Sequence, residues 1–230
     1  QRTGSYKIRG ATYRLSQLSE EQRSRGVVAA SAGNHAQGVA FAARQLGIKA
    51  TIFRQLGVAL PKLQATRNYG AEVVLERATF DETSAAAQAF VRDTGAVYIA
   101  PFDNVAIIEG QGTVGIEAAA QMKARGIDGP DKVVACCGGG GLTAGLALAC
   151  PDAEIVAVEP EGWDDVTRSL AAGAILSVED MAYPTECDAL QTPETWPINF
   201  AVLQARGVRG VVVTRSEVRD AVRLAFEKLH

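Results

Sequence analysis

No apolar run in these 230 residues approaches the roughly 20 that a membrane-spanning helix needs. None has the layout of a secretory signal either. Charge of one sign is also missing: 23 basic residues face 26 acidic ones, net −3, and the lysines and arginines are dispersed. That balance carries no electrostatic footprint for nucleic acid or an acidic membrane. The four cysteines, Cys136, Cys137, Cys150 and Cys187, lack the paired C-x-x-C spacing of a zinc or redox site. They are expected to be reduced core residues of a cytoplasmic protein. Internal repeats and low-complexity tracts are absent. What remains is a globular composition, 47% hydrophobic and 21% charged, long enough for one or two domains.

The chain is organised around Cys136-Cys137-Gly138-Gly139-Gly140-Gly141-Leu142-Thr143-Ala144-Gly145. An apolar, β-branched stretch precedes this run, and small residues suited to a helix follow from Leu142 to Cys150. Adjacent glycines let main-chain amides converge on an anion at a helix start, where the dipole also favours negative charge. The spacing reads as a phosphate cup. Gly139, Gly141 and Ala144 also satisfy a G-x-G-x-x-A dinucleotide fingerprint, with Glu159 ending the next strand where a ribose-binding acid belongs. A nicotinamide-dependent oxidoreductase is therefore one hypothesis.

Two other stretches weigh against it. Ser5-Tyr6-Lys7-Ile8-Arg9-Gly10-Ala11 sets a lysine between an aromatic and an apolar residue, beside small, turn-forming positions. Partial desolvation there would lower the lysine pKa and make the amine nucleophilic. Ser31-Ala32-Gly33-Asn34-His35 follows a buried strand, Val27 to Ala30, and opens a helix to about Leu46. Such a turn offers amides and side-chain polar groups to a carboxylate, or it is an ordinary helix cap. Ser19-x-x-Gln22 predicts a capping-box helix ending at Gly26. Strands then alternate with helices: 50–53, 61–69, 71–75, 81–92 and 96–100, with a long helix from Gly110 to about Arg125. That rhythm predicts an α/β fold with parallel sheets and right-handed crossovers. Helices from Ile198 and Ser216 flank a last strand, Val211 to Thr214.

These stretches, with Ala65-Thr66-Arg67-Asn68-Tyr69-Gly70-Ala71-Glu72-Val73, Glu109-Gly110-Gln111-Gly112-Thr113 and Val158-Glu159-Pro160-Glu161-Gly162, resemble the threonine dehydratase and serine racemase family. The similarity runs through nearly the whole chain in order. It implies pyridoxal 5′-phosphate held between two unequal domains, each a mostly parallel sheet flanked by helices. Residues 1–26 and 106–230 would form the larger and 27–105 the smaller. Lys7 would carry the cofactor covalently, with Tyr6 beside the ring and Asn34 on its 3′ oxygen. Gly138, Gly139, Gly140, Gly141 and Leu142 would cradle the phosphate. Ser31, Ala32, Gly33, Asn34 and His35 would hold the substrate carboxylate. The resemblance also implies tens of residues before the lysine segment, and a strand beyond His230 whose serine meets the pyridine nitrogen.

The reaction implied is β-elimination: Lys7 removes the Cα proton of a 3-hydroxy amino acid, the hydroxyl leaves, and hydrolysis yields a 2-oxo acid and ammonia. Racemases of this family carry a serine where Ala32 stands, so dehydration is expected over racemisation. β-Replacement by the same fold and a binding domain that has lost activity are the remaining alternatives. Arg54-Gln55-Leu56-Gly57 departs from the family's Met-Pro, leaving substrate preference open. Glu159 and Asp165, with the Trp163 carbonyl, match positions that bind Mg²⁺ or Ca²⁺ in several relatives; Glu159 ending a strand and Asp164 capping a helix is the plainer alternative. Trp163 and Trp196 are expected to be packing residues, and the family implies a homodimer.

Overall fold

A computed structural model describes residues 2–31, 33–56, 60–77 and 80–228. Two compact units, Gln1–Gln111 and Gly112–His230, make up the chain.

In the first unit, α1 (Lys7–Ser16) and α2 (Glu20–Arg25) lead into β1 (Val27–Ala30) and α3 (Asn34–Gln45). Then come β2 (Ala50–Gln55), α4 (Leu60–Asn68), β3 (Glu72–Arg77), α5 (Phe80–Thr94) and β4 (Val97–Tyr98). The sheet is parallel throughout, in the order β3-β2-β1-β4. Both faces of β1 are covered, and alternate residues serve different cores. Val27 and Ala29 join Ile52, Ala36, Val39 and Leu15 on one face. Val28 and Ala30 join Phe53 and Ala87 on the other.

The second unit holds β5 (Lys132–Cys136), α7 (Gly141–Ala149), β6 (Glu154–Pro160), α8 (Asp165–Ala172), α9 (Pro197–Ala205), β7 (Arg209–Val213) and α10 (Arg215–Lys228). Its sheet is parallel as well, in the order β5-β6-β7. The division between the units falls inside α6 (Val105–Lys123). Among the described residues no helix is long and apolar enough to cross a membrane. All four cysteines are free thiols.

The parallel α/β architecture predicted from the alternating pattern is present, and so is the capping box. The Ser19 hydroxyl accepts from the Gln22 amide, and the Gln22 side chain accepts from the Ser19 amide. Three elements differ from the prediction. The long helix begins at Val105 instead of Gly110, because the Asn104 side chain accepts the Ile107 amide at 3.3 Å and caps an earlier start. The strand expected over 96–100 narrows to Val97–Tyr98, where Pro101 has no N–H to extend a ladder. The stretch after Lys7, for which the sequence predicts no element, is a helix. It is started by the Ser5 hydroxyl, which accepts the Lys7 amide at 3.2 Å.

Gly10 explains why that helix can pack. A Cβ at Gly10 would stand 2.5 Å from Gln111 Nε2 and 2.9 Å from the Ile107 carbonyl oxygen. The bare backbone therefore lets α1 and α6 approach at Gly10 and Gly110, and the Gly10 amide donates to Gln111 Oε1 at 3.2 Å. On another side, α1 rests against Gly38 of α3, whose own Cβ would meet the Lys7 carbonyl carbon at 3.1 Å. Lys7 is thus fixed by its neighbours on both sides.

Candidate active site

Lys7 is the first residue of α1 and is half-buried. Its Nζ donates to the Pro101 carbonyl oxygen at 2.8 Å. The Tyr6 and Phe102 rings stand 5.6 and 5.8 Å from the amine. Burial pushes the amine pKa down to about 8, so the neutral form is far more populated near neutrality than in an ordinary lysine. That is the chemistry a nucleophilic lysine needs.

The Ser31 turn lies in the same unit. The Ser31 hydroxyl oxygen accepts from the Gly33 and Ala36 amides, each at 3.3 Å, and the Ser31 amide donates to the Phe53 carbonyl within β2. Asn34 opens α3 with an exposed side chain that makes no hydrogen bond among the described residues. His35 turns inward: its Nε2 lies 2.9 Å from the Ile99 carbonyl oxygen. A carbonyl only accepts, so Nε2 carries the proton. Burial, then the charge of Lys7, push the imidazole pKa down to about 3, and His35 is neutral. What it can offer a carboxylate is its main-chain amide. Ala32 lies outside the described residues.

The glycine loop belongs to the second unit. Cys137 extends the β5 ladder by donating its amide to Val158, and the chain then bends through Gly138 and Gly139. Gly140 adopts φ +90°, a left-handed conformation that other residues rarely take, and caps α7 without a side-chain bond. The first amides of α7, from Gly141 and Leu142 onward, are thus left for an external acceptor. Support comes from α9, where Asn199 Nδ2 donates to the Gly139 carbonyl at 2.6 Å. Side chains at these positions would be crowded: a Cβ on Gly138 would lie 3.1 Å from Thr192 Oγ1, and one on Gly140 3.2 Å from Asn199 Cβ.

Glu159, one residue before the end of β6, is fully buried. Its Oε1 accepts the Val166 amide at 2.9 Å, and its Oε2 accepts the Thr167 amide at 2.7 Å and the Thr167 hydroxyl at 2.5 Å. Glu159, not Asp164, satisfies the start of α8, since Asp164 makes no side-chain cap bond. Asp165 is buried beside it, and its Oδ2 has no hydrogen-bond partner among the described residues. Burial pushes both carboxyls up to about 7, and for Asp165 the charge of Glu159 adds to this. No cluster of three or more His, Cys, Asp or Glu side chains able to hold a metal occurs among the described residues. Trp163 is a packing residue, buried with its indole N–H on the Tyr183 carbonyl at 2.9 Å; Trp196 is instead 41% exposed.

Sequence reasoning missed Pro101, Phe102 and Asn199. Proline in a turn and an asparagine two residues into a helix carry no spacing signal; only the tertiary contacts single them out. It also gave no hint that Arg54 is buried on β2, with Nη1 3.5 Å from Thr66 Oγ1.

The family model for pyridoxal-phosphate dependent enzymes matches residues 1–230. The chain belongs to this family. An L-threonine ammonia-lyase of Thermotoga maritima is 40% identical over 234 residues, covering 99% of this chain and 56% of the relative. The structure of threonine deaminase isoform 2 from Solanum lycopersicum, in its processed form, superposes with a TM-score of 0.92 at 35% identity, covering 99% of this chain and 66% of that one. Maize serine racemase gives 0.91 at 33%, covering 99% and 68%. The chain therefore spans little more than half the length of the Thermotoga enzyme that it matches almost end to end.

The residues present fit the family's cofactor. A lysine amine with a depressed pKa can condense with an aldehyde, and a side-chain-free loop opening a helix can hold a phosphate.

Proposed function

We propose that this chain supplies the cofactor-binding and proton-handling residues of a pyridoxal-phosphate-dependent ammonia-lyase. Its substrate is a threonine- or serine-like 3-hydroxy amino acid, and its products are a 2-oxo acid and ammonia. The observation that carries this reading is Lys7: a half-buried amine with a depressed pKa, in the same unit as a helix N-terminus suited to a carboxylate.

When bound, pyridoxal phosphate supplies an electron sink for the charge left at the substrate Cα. Lys7 holds the cofactor covalently and, once released, takes the Cα proton on Nζ. Gly138 to Leu142 and the first amides of α7 hold the phosphate. The Asn34 carboxamide bonds the ring oxygen, and Tyr6 flanks the ring. The Ser31 O–H and the amides of Asn34 and His35 orient the substrate carboxylate, the Gly33 amide being engaged with the Ser31 hydroxyl oxygen and the His35 ring with Ile99. Ala32 has no exchangeable proton, so racemisation is weak beside elimination.

Mg²⁺ or Ca²⁺ at Glu159 and Asp165, with the Trp163 carbonyl, belongs to the same proposal in a structural role. The buried acid pair and the unsatisfied Asp165 Oδ2 support it. A homodimer in the cytoplasm, with no nucleic-acid partner, completes the reading. The deciding experiment is borohydride reduction of the full-length protein followed by peptide mass mapping. A phosphopyridoxyl group on Lys7 and release of 2-oxo acid from threonine or serine are expected. No adduct on cofactor-supplemented protein returns the glycine loop to the dinucleotide hypothesis.

A further inference from the structure

The Ile99–Phe102 segment touches both titratable groups of the first unit's site, and it does so with alternate carbonyls. Ile99 accepts from His35 Nε2 at 2.9 Å, and two residues on Pro101 accepts from Lys7 Nζ at 2.8 Å. The segment is braced at each end. The Ile99 amide donates to Val28 of β1 at 2.9 Å, and the Phe102 carbonyl accepts the Asn104 amide at 3.0 Å just before α6. Proline at 101 restricts φ there and holds Ala100 extended, so the accepting carbonyl is aimed by a stiff stretch of chain.

We propose that this segment is a seat for the Lys7 amine in its released form, with Phe102 as the positioning residue. The inference rests on the reading of Lys7 as the cofactor-carrying lysine and adds where the amine goes between its two tasks. In the seat, one N–H donates to Pro101, and the Tyr6 and Phe102 rings wall the amine at 5.6 and 5.8 Å. The seat suits an uncharged amine. An ammonium has three donors to satisfy, whereas the seat offers one carbonyl. The ring distances lie near the ≈ 6 Å limit of useful cation–π attraction, so the rings act mainly by excluding water. The titratable groups set against the amine are the Tyr6 phenol of its own turn and the His35 imidazole from α3, and burial alone sets the direction of its shift. The neutral form of the amine, held at a fixed point, is ready to take a proton without searching for its place.

The test is the pH dependence of Lys7 acylation by acetic anhydride in the full-length protein after reversible cofactor removal, read by peptide mass. Exposed Lys49 serves as the internal reference. Half-maximal labelling of Lys7 is expected near pH 8 in the wild type. Phe102→Ala admits water and moves it up by about one unit, while Phe102→Tyr restores it. Phe102→Leu, which keeps apolar bulk and tolerates folding better, moves it in the same direction by about half as much. Borohydride trapping on Lys7 is run on every variant. Trapping that persists with an unmoved Lys7 profile in Phe102→Ala or Phe102→Leu overturns the seat alone. Absence of trapping in the wild type overturns the cofactor reading and the seat with it.

Discussion

Asn199 Nδ2 donates to the Gly139 carbonyl oxygen across 2.6 Å, tying the first turn of α9 to the middle of the glycine loop. The loop itself has no side chains to hold its shape, so this bond from outside sets where its amides point. Removing it leaves a buried carbonyl without its donor, at a cost of about 1–3 kcal/mol. Asn199→Ala is expected to speed pyridoxal phosphate release by roughly tenfold, the equivalent of about 1.4 kcal/mol. Stopped-flow or dialysis measurements of cofactor loss check it. An unchanged release rate would mean the loop holds its form alone.

At Gly10 the question is whether helix propensity or sterics prevails. Alanine gains up to about 1 kcal/mol over glycine inside a helix. Against that, the new Cβ meets Gln111 at 2.5 Å and the Ile107 carbonyl oxygen at 2.9 Å. Gln111 can shift, but the carbonyl of α6 is backbone and cannot, so the overpacking cost of about 1–3 kcal/mol outweighs the propensity gain. Gly10→Ala is expected to lower the melting temperature and to weaken Lys7 trapping, because α1 carries Lys7 at its first position. A variant as stable as the wild type would show that the α1–α6 approach has slack.

Ser19 and Ser31 each accept a first-turn amide of a helix, and they separate stability from function. Ser19→Ala removes an exposed capping box and costs about 1 kcal/mol with no effect on catalysis. Ser31→Ala removes the acceptor of the Gly33 and Ala36 amides and costs a similar amount. It should in addition raise KM severalfold, since the same hydroxyl faces the proposed carboxylate site. Denaturant melts and steady-state kinetics on both variants check this pair. Equal KM values would remove Ser31 from the substrate site.

Much of this was legible in the sequence because local rules and tertiary demands agree there. Val27 to Ala30 reads as a buried strand and is one, and Gly138 to Gly141 reads as a loop opening a helix and does so. Legibility fails where one residue answers to a distant partner. Nothing near Lys7 predicts how closely α1 is packed at Gly10, because the partner there is Gln111, 101 positions away. The Pro101 carbonyl likewise finds its partner 94 residues back. Glu159 reads as a ligand or a ribose acid by spacing, whereas its three donors come from the start of α8.

Glu159 and Asp165 also make the pH dependence of stability predictable in sign. Burial raises both carboxyls to about 7 in the folded chain, against usual values of 4.5 and 3.8. Between about pH 4 and 7 the folded state therefore binds more protons than the unfolded one. Unfolding free energy then falls as pH rises through that window. The stabilisation is complete below the unfolded values and lost above about 7. Asp165→Asn mimics the protonated acid. It should change the melting temperature least below about pH 4, raise it most at pH 8, and flatten the slope between. The measurement is thermal melting across pH in the presence of a chelator. Repeating it with Mg²⁺ separates two roles for the pair. A bound cation would lower both pKa values and erase the wild-type slope, whereas a purely structural pair would keep it. A slope that Asp165→Asn leaves intact would place the source of the pH dependence elsewhere.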